Sequence, residues 1–329
     1  MSCPTLYLHI GFPKTGSTHF QQAILPELPG MTCFDRPGSS TIQQKAPWDG
    51  VLNRLFECSP KVWSRFGRSI FNELFGSPTD NAQRAHDVLI SDENMWISGA
   101  RDPYLVQRHL QRMIELASEW GFARIRIIAV FRRQDTWMAS AYAQTSDQRR
   151  GASQRDFVQY VHRVLDPAKE YFDSRVDLDY ALQYRLLCDC VGSENLLFLP
   201  YELMKENVTC FYKYWFDFME LKENLSMGST VSKASTAKHN VRSSGRATWA
   251  LRDRCTRDVP FVWLRPGRLF SLIGFQPPKL YLRIPDLQRG KEITLTPELS
   301  RHVLSRYKES NTILSNKIDF DIKNYGYAL

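Results

Sequence analysis

The chain has 329 residues, of which 43% are hydrophobic and 24% are charged, a balance typical of an ordinary folded domain. No apolar run approaches the roughly 18 residues that a membrane span needs, so no transmembrane segment is expected. The net charge of +8 at pH 7 favours an anionic ligand, whereas nucleic acid is not expected as a partner because no RNP, helix-turn-helix or zinc-finger pattern accompanies the charge.

The first predicted element is a short strand over residues 6–10, which leads into a loop bounded by Gly11 and Gly16 and then into a helix from about 18 to 28. Two glycines five positions apart allow the backbone to curl so that several N–H groups point at one spot. The helix adds its first-turn N–H groups and the positive end of its dipole. This order of elements predicts an anion-binding loop.

The position of the lysine indicates which anion the loop binds. In a P-loop that binds ATP or GTP, the lysine follows the second glycine directly, and a hydroxyl that holds Mg²⁺ comes next. Here Ser17 follows Gly16, and the lysine lies inside the loop as Lys14. A lysine at this point would lie beside a phosphate rather than reach forward to a β,γ-bridge, which disfavours ATP or GTP.

The rest of the chain alternates strands with helices. The segment from the first helix through Asp49 is rich in Pro, Gly and Ser and is expected to be a surface loop, followed by peripheral helices. Further strands are predicted at 88–90, 125–131 and 195–201, and further helices at 104–120, from about 136, at 154–165, 180–191 and 211–221, and from 296. This alternation predicts an α/β fold, a P-loop-like three-layer arrangement with a mostly parallel central sheet and helices on both faces.

A second anion-binding segment is predicted after the strand at 125–131. This strand delivers Arg132 to the carboxyl edge of the sheet, where open α/β folds bind their ligands. Ser140 lies eight residues further on, in the next helix. A guanidinium forms strong charge-assisted hydrogen bonds and a serine hydroxyl adds a donor, so both side chains could reach one phosphate.

Together the two segments resemble those of the sulfotransferases that use 3′-phosphoadenosine 5′-phosphosulfate (PAPS), and in particular the bacterial, carbohydrate-type branch. The run P-K-T-G-S-T at 13–18 resembles the 5′-phosphosulfate loop of that family. The run F-R-R-Q-D-T-W-M-A-S-A-Y at 131–142 resembles its 3′-phosphate segment, with an arginine at the strand end and a serine eight positions later. Less specific matches at 199–203, 238–241 and 295–311 extend the resemblance over most of the chain.

The resemblance implies a single sulfotransferase domain over 1–329, with a variable acceptor-side or lid region at about 226–295. It implies transfer of a sulfuryl group from PAPS, without a metal, to a hydroxyl of a carbohydrate, a glycolipid or a small metabolite. The donor-binding residues that it implies are Pro13, Lys14, Thr15, Gly16, Ser17, Thr18, Arg132 and Ser140.

The same resemblance assigns the chemistry to Lys14 and an acid. Lys14 is placed to stabilise the leaving phosphate oxygen. Glu93, at the end of the strand predicted at 88–90, would take the proton of the acceptor hydroxyl, with Asp92 and His19 as the alternatives. The acid pair could also simply cap the turn or pair with Arg101.

The sequence departs from the family pattern in two places. Many members have a proline two residues after the 3′-phosphate arginine, where this chain has Gln134. The lysine- and glycine-rich C-terminal motif of the cytosolic small-molecule enzymes is absent, and S-S-G-R at 243–246 is only a partial match. A basic stretch from Arg242 to Arg268, with Trp249 and Trp263 interleaved, suits a sugar chain or an anionic lipid-linked acceptor, or forms a solvated basic face.

Two other functions stay open at the level of sequence: an unusual P-loop kinase that uses ATP, and a non-catalytic nucleotide-binding protein that lost turnover. The N-terminus runs almost directly into the first strand without a secretory leader, so a cytoplasmic, bacterial-type enzyme is expected. The seven cysteines are scattered, and Cys188-Asp189-Cys190 lacks the C-x-x-C spacing of common zinc or redox sites. Reduced thiols are therefore expected. The oligomeric state is not predicted.

Overall fold

A parallel sheet organises the structure, which is a computed structural model that describes residues 4–28, 30–35, 59–77, 86–92, 95, 102–149, 151–166, 177–221, 247–252 and 290–329. Its five strands are β1 (Thr5–His9), β2 (Met31–Asp35), β3 (Asp87–Ser91), β4 (Arg124–Phe131) and β5 (Leu196–Pro200). They lie in the order β2-β3-β1-β4-β5, and every pair is parallel. In the register, His9 at the end of β1 is level with Ser91 and Ile128. The loops that follow β1, β3 and β4 therefore leave the sheet at the same edge.

Ten α-helices are described around this sheet: α1 (Ser17–Ala23), α2 (Lys61–Phe75), α3 (Pro103–Glu119), α4 (Gln134–Gln144), α5 (Gln154–Leu165), α6 (Tyr180–Val191), α7 (Tyr201–Glu206), α8 (Val208–Phe218), α9 (Pro297–Arg306) and α10 (Lys308–Ser315). A two-stranded antiparallel ribbon joins β6 (Thr248–Ala250) to β7 (Glu292–Thr294). Among the helices described, none is long and apolar enough to cross a membrane.

The helices cover both faces of the sheet. Leu6 and Leu8 of β1 are fully buried in a large cluster that also includes side chains of α3, α4 and α6. Tyr7, between them, belongs to a second cluster on the opposite face, formed with α1, α7 and α8. Side chains alternate across a strand, so a strand buried on both sides reads as a continuous apolar run. The predicted α/β fold, with a parallel sheet and helices on both faces, is confirmed.

The structure corrects the expectation of a surface loop after the first helix. That helix is short, ending at Ala23 and continuing as a 3₁₀ turn over Leu25–Glu27, and the chain then forms β2. Among the strands that the structure describes, β2 lies at the edge of the sheet and pairs with β3. An edge strand of five residues has too few buried positions for a clear period, so no hydrophobic pattern marked it as a strand. Residues 36–58 lie outside the described residues.

The C-terminal helix begins where the sequence predicts but does not continue as one helix. Thr296 caps α9, with its hydroxyl accepting a hydrogen bond from Leu299 N at 3.2 Å. The helix ends at Arg306, and α10 begins at Lys308. Of the predicted lid region at 226–295, only 247–252 and 290–295 are described.

Candidate anion-binding site

The loop after β1 turns sharply over the carboxyl edge of the sheet. Its first residues continue along β4, with Ile10 N donating to Ile128 O at 2.9 Å and Phe12 N donating to Val130 O at 3.1 Å. The backbone then becomes left-handed at Lys14 (φ 72°) and at Gly16 (φ 88°). Left-handed residues within a turn bring successive N–H groups to one concave side, which is the geometry of an anion-binding nest.

Glycine is required at position 16 for two reasons. The φ of 88° is strained for a residue with a side chain. A Cβ would also lie 2.7 Å from the sulfur of Met204 and 3.3 Å from Cε2 of Tyr201. Both contacts come from α7, so this helix packs directly against the loop. The second glycine of the motif therefore serves both the turn and the close packing of the loop.

The other predicted loop residues differ in exposure. Thr15 is buried, and its hydroxyl donates to Phe12 O at 2.5 Å, which holds the turn closed. Pro13 and Lys14 are half-buried. Ser17, the first residue of α1, is buried, while Thr18 is exposed.

Arg132 lies at the end of β4 and is held on several sides. Its side chain is 7% exposed. Nη1 donates to Lys14 O at 3.0 Å, and Nε donates to the hydroxyl of Thr136 at 3.1 Å. The Arg132 carbonyl accepts from the hydroxyl of Tyr180 at 2.6 Å. The guanidinium is therefore fixed against the loop, and the structure brings together the two segments that the sequence singled out, although they lie 118 residues apart.

Helix α4 supplies one further contact to the loop and carries the predicted serine. The indole Nε1 of Trp137 donates to Pro13 O at 2.8 Å, a second bond between α4 and the loop. Ser140, three residues further along α4, is half-buried, and its hydroxyl has no hydrogen-bond partner in the described part of the chain. The hydroxyl of Ser140 can therefore donate a hydrogen bond to a ligand.

The acids near Arg132 are engaged elsewhere. Asp135 is fully buried and accepts from Arg133 Nε at 2.7 Å and from the hydroxyl of Ser300 at 2.5 Å. Glu202 accepts from Arg133 N at 3.2 Å and from the hydroxyl of Tyr327 at 2.8 Å.

Arg132 itself has no carboxylate within ion-pair distance among the residues described. A buried charge is costly unless it is paired. A phosphate would supply the missing negative charge, and this donor set fits one.

Of the acid pair predicted to contain the base, the structure describes only Asp92. Glu93 lies outside the described residues. Its neighbour Asp92 is buried, and its N–H donates to His9 O at 3.0 Å, so the end of β3 lies beside the end of β1 at the loop edge. Asp92 thus lies near the predicted anion-binding loop, at the edge of the sheet where the sequence predicts it.

The two histidines near the loop differ from an exposed catalytic base. His19 is buried, with Nδ1 2.7 Å from the hydroxyl of Tyr212 and the two rings stacked. His9 is buried beneath the loop, with Nδ1 2.8 Å from the hydroxyl of Ser91. Burial lowers the pKa of His9 to about 3, so its imidazole is neutral at physiological pH.

Sequence reasoning missed the roles of Trp137 and Tyr201. The guanidinium carbon of Arg132 lies 5.1 Å from the centroid of the Tyr201 ring, within cation–π distance. A weak signal for Tyr201 was present, because it directly follows a parallel strand and must therefore lie at the ligand-binding edge. Trp137 carried no comparable signal, since its partner is a backbone carbonyl far away in the sequence. No cluster of three or more potential metal-ligating side chains occurs in the part of the chain that is described.

No family model matches the sequence, and no curated protein does. Among solved structures, the chain is similar to a sulfotransferase from Alicyclobacillus acidocaldarius, with a TM-score of 0.52 and 12% identity over 99% of this chain and 100% of that one. A mouse sulfotransferase, SULT7A1 complexed with PAP, aligns over 99% of this chain and 89% of that one, with a TM-score of 0.46 and 13% identity. At such identities the first similarity establishes the fold alone, and the second score is too low to support an argument. The chain has the α/β fold of a known sulfotransferase.

Proposed function

We propose that this protein is a PAPS-dependent sulfotransferase that transfers a sulfuryl group to a hydroxyl of a carbohydrate, a glycolipid or a small metabolite. One observation carries the proposal: the hydrogen bond from Arg132 Nη1 to Lys14 O, 3.0 Å long, joins the two predicted anion-binding segments into one site. A donor with phosphates at two separate positions requires such a pair of segments. The fold supports the same conclusion.

In this proposal the loop binds the 5′ end of the donor and the β4 edge binds the 3′-phosphate. The backbone of 13–18, with the hydroxyls of Ser17 and Thr18, surrounds the 5′-phosphate. Arg132 and the free hydroxyl of Ser140 bind the 3′-phosphate. The charges of Lys14 and Arg132 take the place that a metal ion has in phosphoryl transfer.

The chemistry follows from these positions. Sulfuryl transfer is physically similar to phosphoryl transfer, a loose in-line displacement in which negative charge grows on the leaving phosphate oxygen. The sulfur–oxygen bond to the 5′-phosphate breaks, and a new one forms to the acceptor oxygen, whose proton goes to a base. Lys14 stabilises the leaving oxygen, since an ammonium at that point acts most strongly in the transition state. Glu93 takes the proton, with Asp92 and His19 as alternatives.

Calorimetry in the presence of EDTA tests the donor assignment. Adenosine 3′,5′-bisphosphate should bind without Mg²⁺, and Arg132→Ala should weaken that binding by about ten- to hundredfold, equivalent to roughly 1.5–3 kcal/mol. Adenosine 5′-monophosphate, which lacks the 3′-phosphate, should lose little affinity in the same variant. Binding that appears only with ATP and Mg²⁺ would instead identify a kinase.

Transfer from labelled PAPS separates catalysis from binding. Glu93→Gln should retain the affinity for the bisphosphate while transfer falls by roughly 10²- to 10⁴-fold, because glutamine keeps the shape and removes the basicity. If Asp92→Asn abolishes transfer and Glu93→Gln does not, the base is Asp92.

A screen of hydroxyl acceptors with labelled PAPS would identify the acceptor class, and a wild-type protein that binds PAPS but transfers to none would favour a non-catalytic binding protein. The cytoplasmic location stays a prediction.

A further inference from the structure

Lys205 brings a second cation to the edge of the site. It follows Tyr201 by one turn of α7, and its ammonium lies 5.1 Å from the centroid of the Tyr201 ring. The guanidinium carbon of Arg132 lies at the same distance from the same centroid, 5.1 Å. This ring also borders the loop, since a Cβ on Gly16 would lie 3.3 Å from its Cε2 atom. One aromatic side chain thus gathers two cations beside the anion-binding loop.

Neither cation makes an ion pair in the described part of the chain. Lys205 makes no ion pair there, and neither does Arg132, which is 7% exposed. The two nearby carboxylates, Asp135 and Glu202, are hydrogen-bonded to Arg133 and to hydroxyls of the C-terminal segment. Two cations that share one ring, and that make no ion pair with these carboxylates, form a site for an anion.

The electrostatics of Lys205 agree with this picture. Lys205 is exposed overall, but partial burial of its ammonium and, next, the Arg132 guanidinium lower its pKa, while the more weakly acting Glu202 raises it. The second cause shows that the charges of Lys205 and Arg132 repel each other, whereas an anion between them would attract both. A lysine has a long, flexible stem, so the ammonium can follow an anion that Arg132 binds.

We propose that Lys205 is a second cationic ligand of the 3′-phosphate and that, with Arg132, it sets the preference for nucleotides that carry this phosphate. The inference rests on the proposed function, because it assumes that Arg132 binds a 3′-phosphate. Lys205 is assigned to this phosphate rather than to the 5′ end because it shares the ring of Tyr201 with Arg132.

Three variants and two ligands test the proposal. Lys205→Met removes the charge and keeps most of the stem, Lys205→Arg keeps the charge, and Lys213→Met removes the charge of an exposed lysine on α8 as the matched control. Affinities for adenosine 3′,5′-bisphosphate and adenosine 5′-monophosphate are measured by calorimetry, and thermal unfolding confirms that each variant is folded. Lys205→Met should weaken bisphosphate binding by about tenfold and monophosphate binding by less than about twofold. Lys205→Arg should restore most of the loss, and Lys213→Met should change neither affinity.

The outcomes distinguish this inference from the proposed function. If the wild type prefers the bisphosphate and Lys205→Met binds it equally well, the inference is wrong and the function stands. If Lys205→Met weakens both ligands equally, Lys205 does not recognise the 3′-phosphate. If the wild type does not prefer the bisphosphate over the monophosphate, the proposed donor itself is wrong, whatever the variants do.

Discussion

At the scale of single residues, Lys14 has an unusual backbone. A residue other than glycine at φ 72° is strained, by roughly 1–2 kcal/mol. Such strain persists only where the surrounding structure fixes it, and here the Lys14 carbonyl accepts from Arg132 at 3.0 Å. The chain thus keeps a lysine at a position where glycine would be more relaxed. This is consistent with a requirement for the ammonium rather than for the turn.

Two substitutions at this residue separate the two effects. Lys14→Gly should unfold at the same or a higher temperature, with up to about 1 kcal/mol of added stability, because glycine adopts a left-handed backbone without strain. Lys14→Ala keeps the strain and should not gain stability. Both should lower the transfer rate by about a hundredfold or more, since both remove the charge. Thermal unfolding and turnover of labelled PAPS are the measurements, and a Lys14→Gly protein with normal turnover would exclude Lys14 from the mechanism.

At the scale of elements, the C-terminal helices hold the start of α4. Gln134, the first residue of α4, stands where the family resemblance leads one to expect proline. It is fully buried and donates from its side-chain amide to Asn311 Oδ1 of α10 at 2.7 Å. The hydroxyl of Ser300, on α9, donates to the carboxylate of Asp135, the second residue of α4. A proline at position 134 would stiffen the chain two residues after Arg132 by its ring. Here hydrogen bonds to the C-terminal helices hold this point instead.

Breaking this pair should destabilise the fold. Asn311→Leu leaves the buried amide of Gln134 without its partner, which should lower the free energy of unfolding by about 1–3 kcal/mol in urea titrations. The double variant Gln134→Leu/Asn311→Leu should recover part of the loss, because no buried polar group is then unsatisfied. Thr312→Ala, at an exposed position on the same helix, is the control. If Asn311→Leu and Thr312→Ala lose the same small amount, the pair does not anchor α4.

At the scale of the whole molecule, the buried His9 links global stability to pH. It packs between Phe20 and Trp215, with ring centroids 5.1 Å and 4.8 Å away. Its pKa is lowered by burial to about 3, whereas an unfolded histidine has a pKa near 6.5. Below pH 6.5 the unfolded chain therefore binds a proton that the folded chain does not. The stability that the neutral His9 contributes is fully present above about pH 6.5 and is lost as the pH falls towards 3.

The free energy of unfolding should fall by up to about 1.4 kcal/mol for each pH unit as the pH decreases. This fall is best measured between about pH 6.5 and 5, above the range in which most carboxyl groups titrate. Denaturant titrations across this window should show the free energy of unfolding falling in the wild type. His9→Gln removes the titrating group and should flatten the curve, while His302→Gln, at an exposed histidine of α9, should keep it. A wild-type curve already flat over this window would mean that His9 becomes protonated in the folded protein.

The sequence by itself determined the features that rest on local patterns. Glycine spacing and the position of Lys14 predicted the anion-binding loop, and short apolar runs alternating with helical periods predicted the parallel sheet. The parallel order then placed the ends of the strands, and with them Arg132 and Asp92, at one edge. The prediction of the sheet succeeded because burial on both faces requires apolar residues within a few positions, and the left-handed turn at Gly16 lies where the glycine spacing predicts a turn. The binding of an anion there stays a prediction.

The tertiary structure decided the contacts between distant segments. β2 was missed because an edge strand of five residues lacks a clear period. The bond from Arg132 to Lys14, the ring of Tyr201 beside two cations and the pairing of Gln134 with Asn311 join residues far apart in the chain. No periodicity records such pairs, because a hydrogen bond or a cation–π contact depends on where two backbones meet and not on the residues next to either partner. The two segments proposed to bind the donor could therefore be predicted from the sequence, but their contact with each other was decided only by the packing of α4 and α7 against the loop.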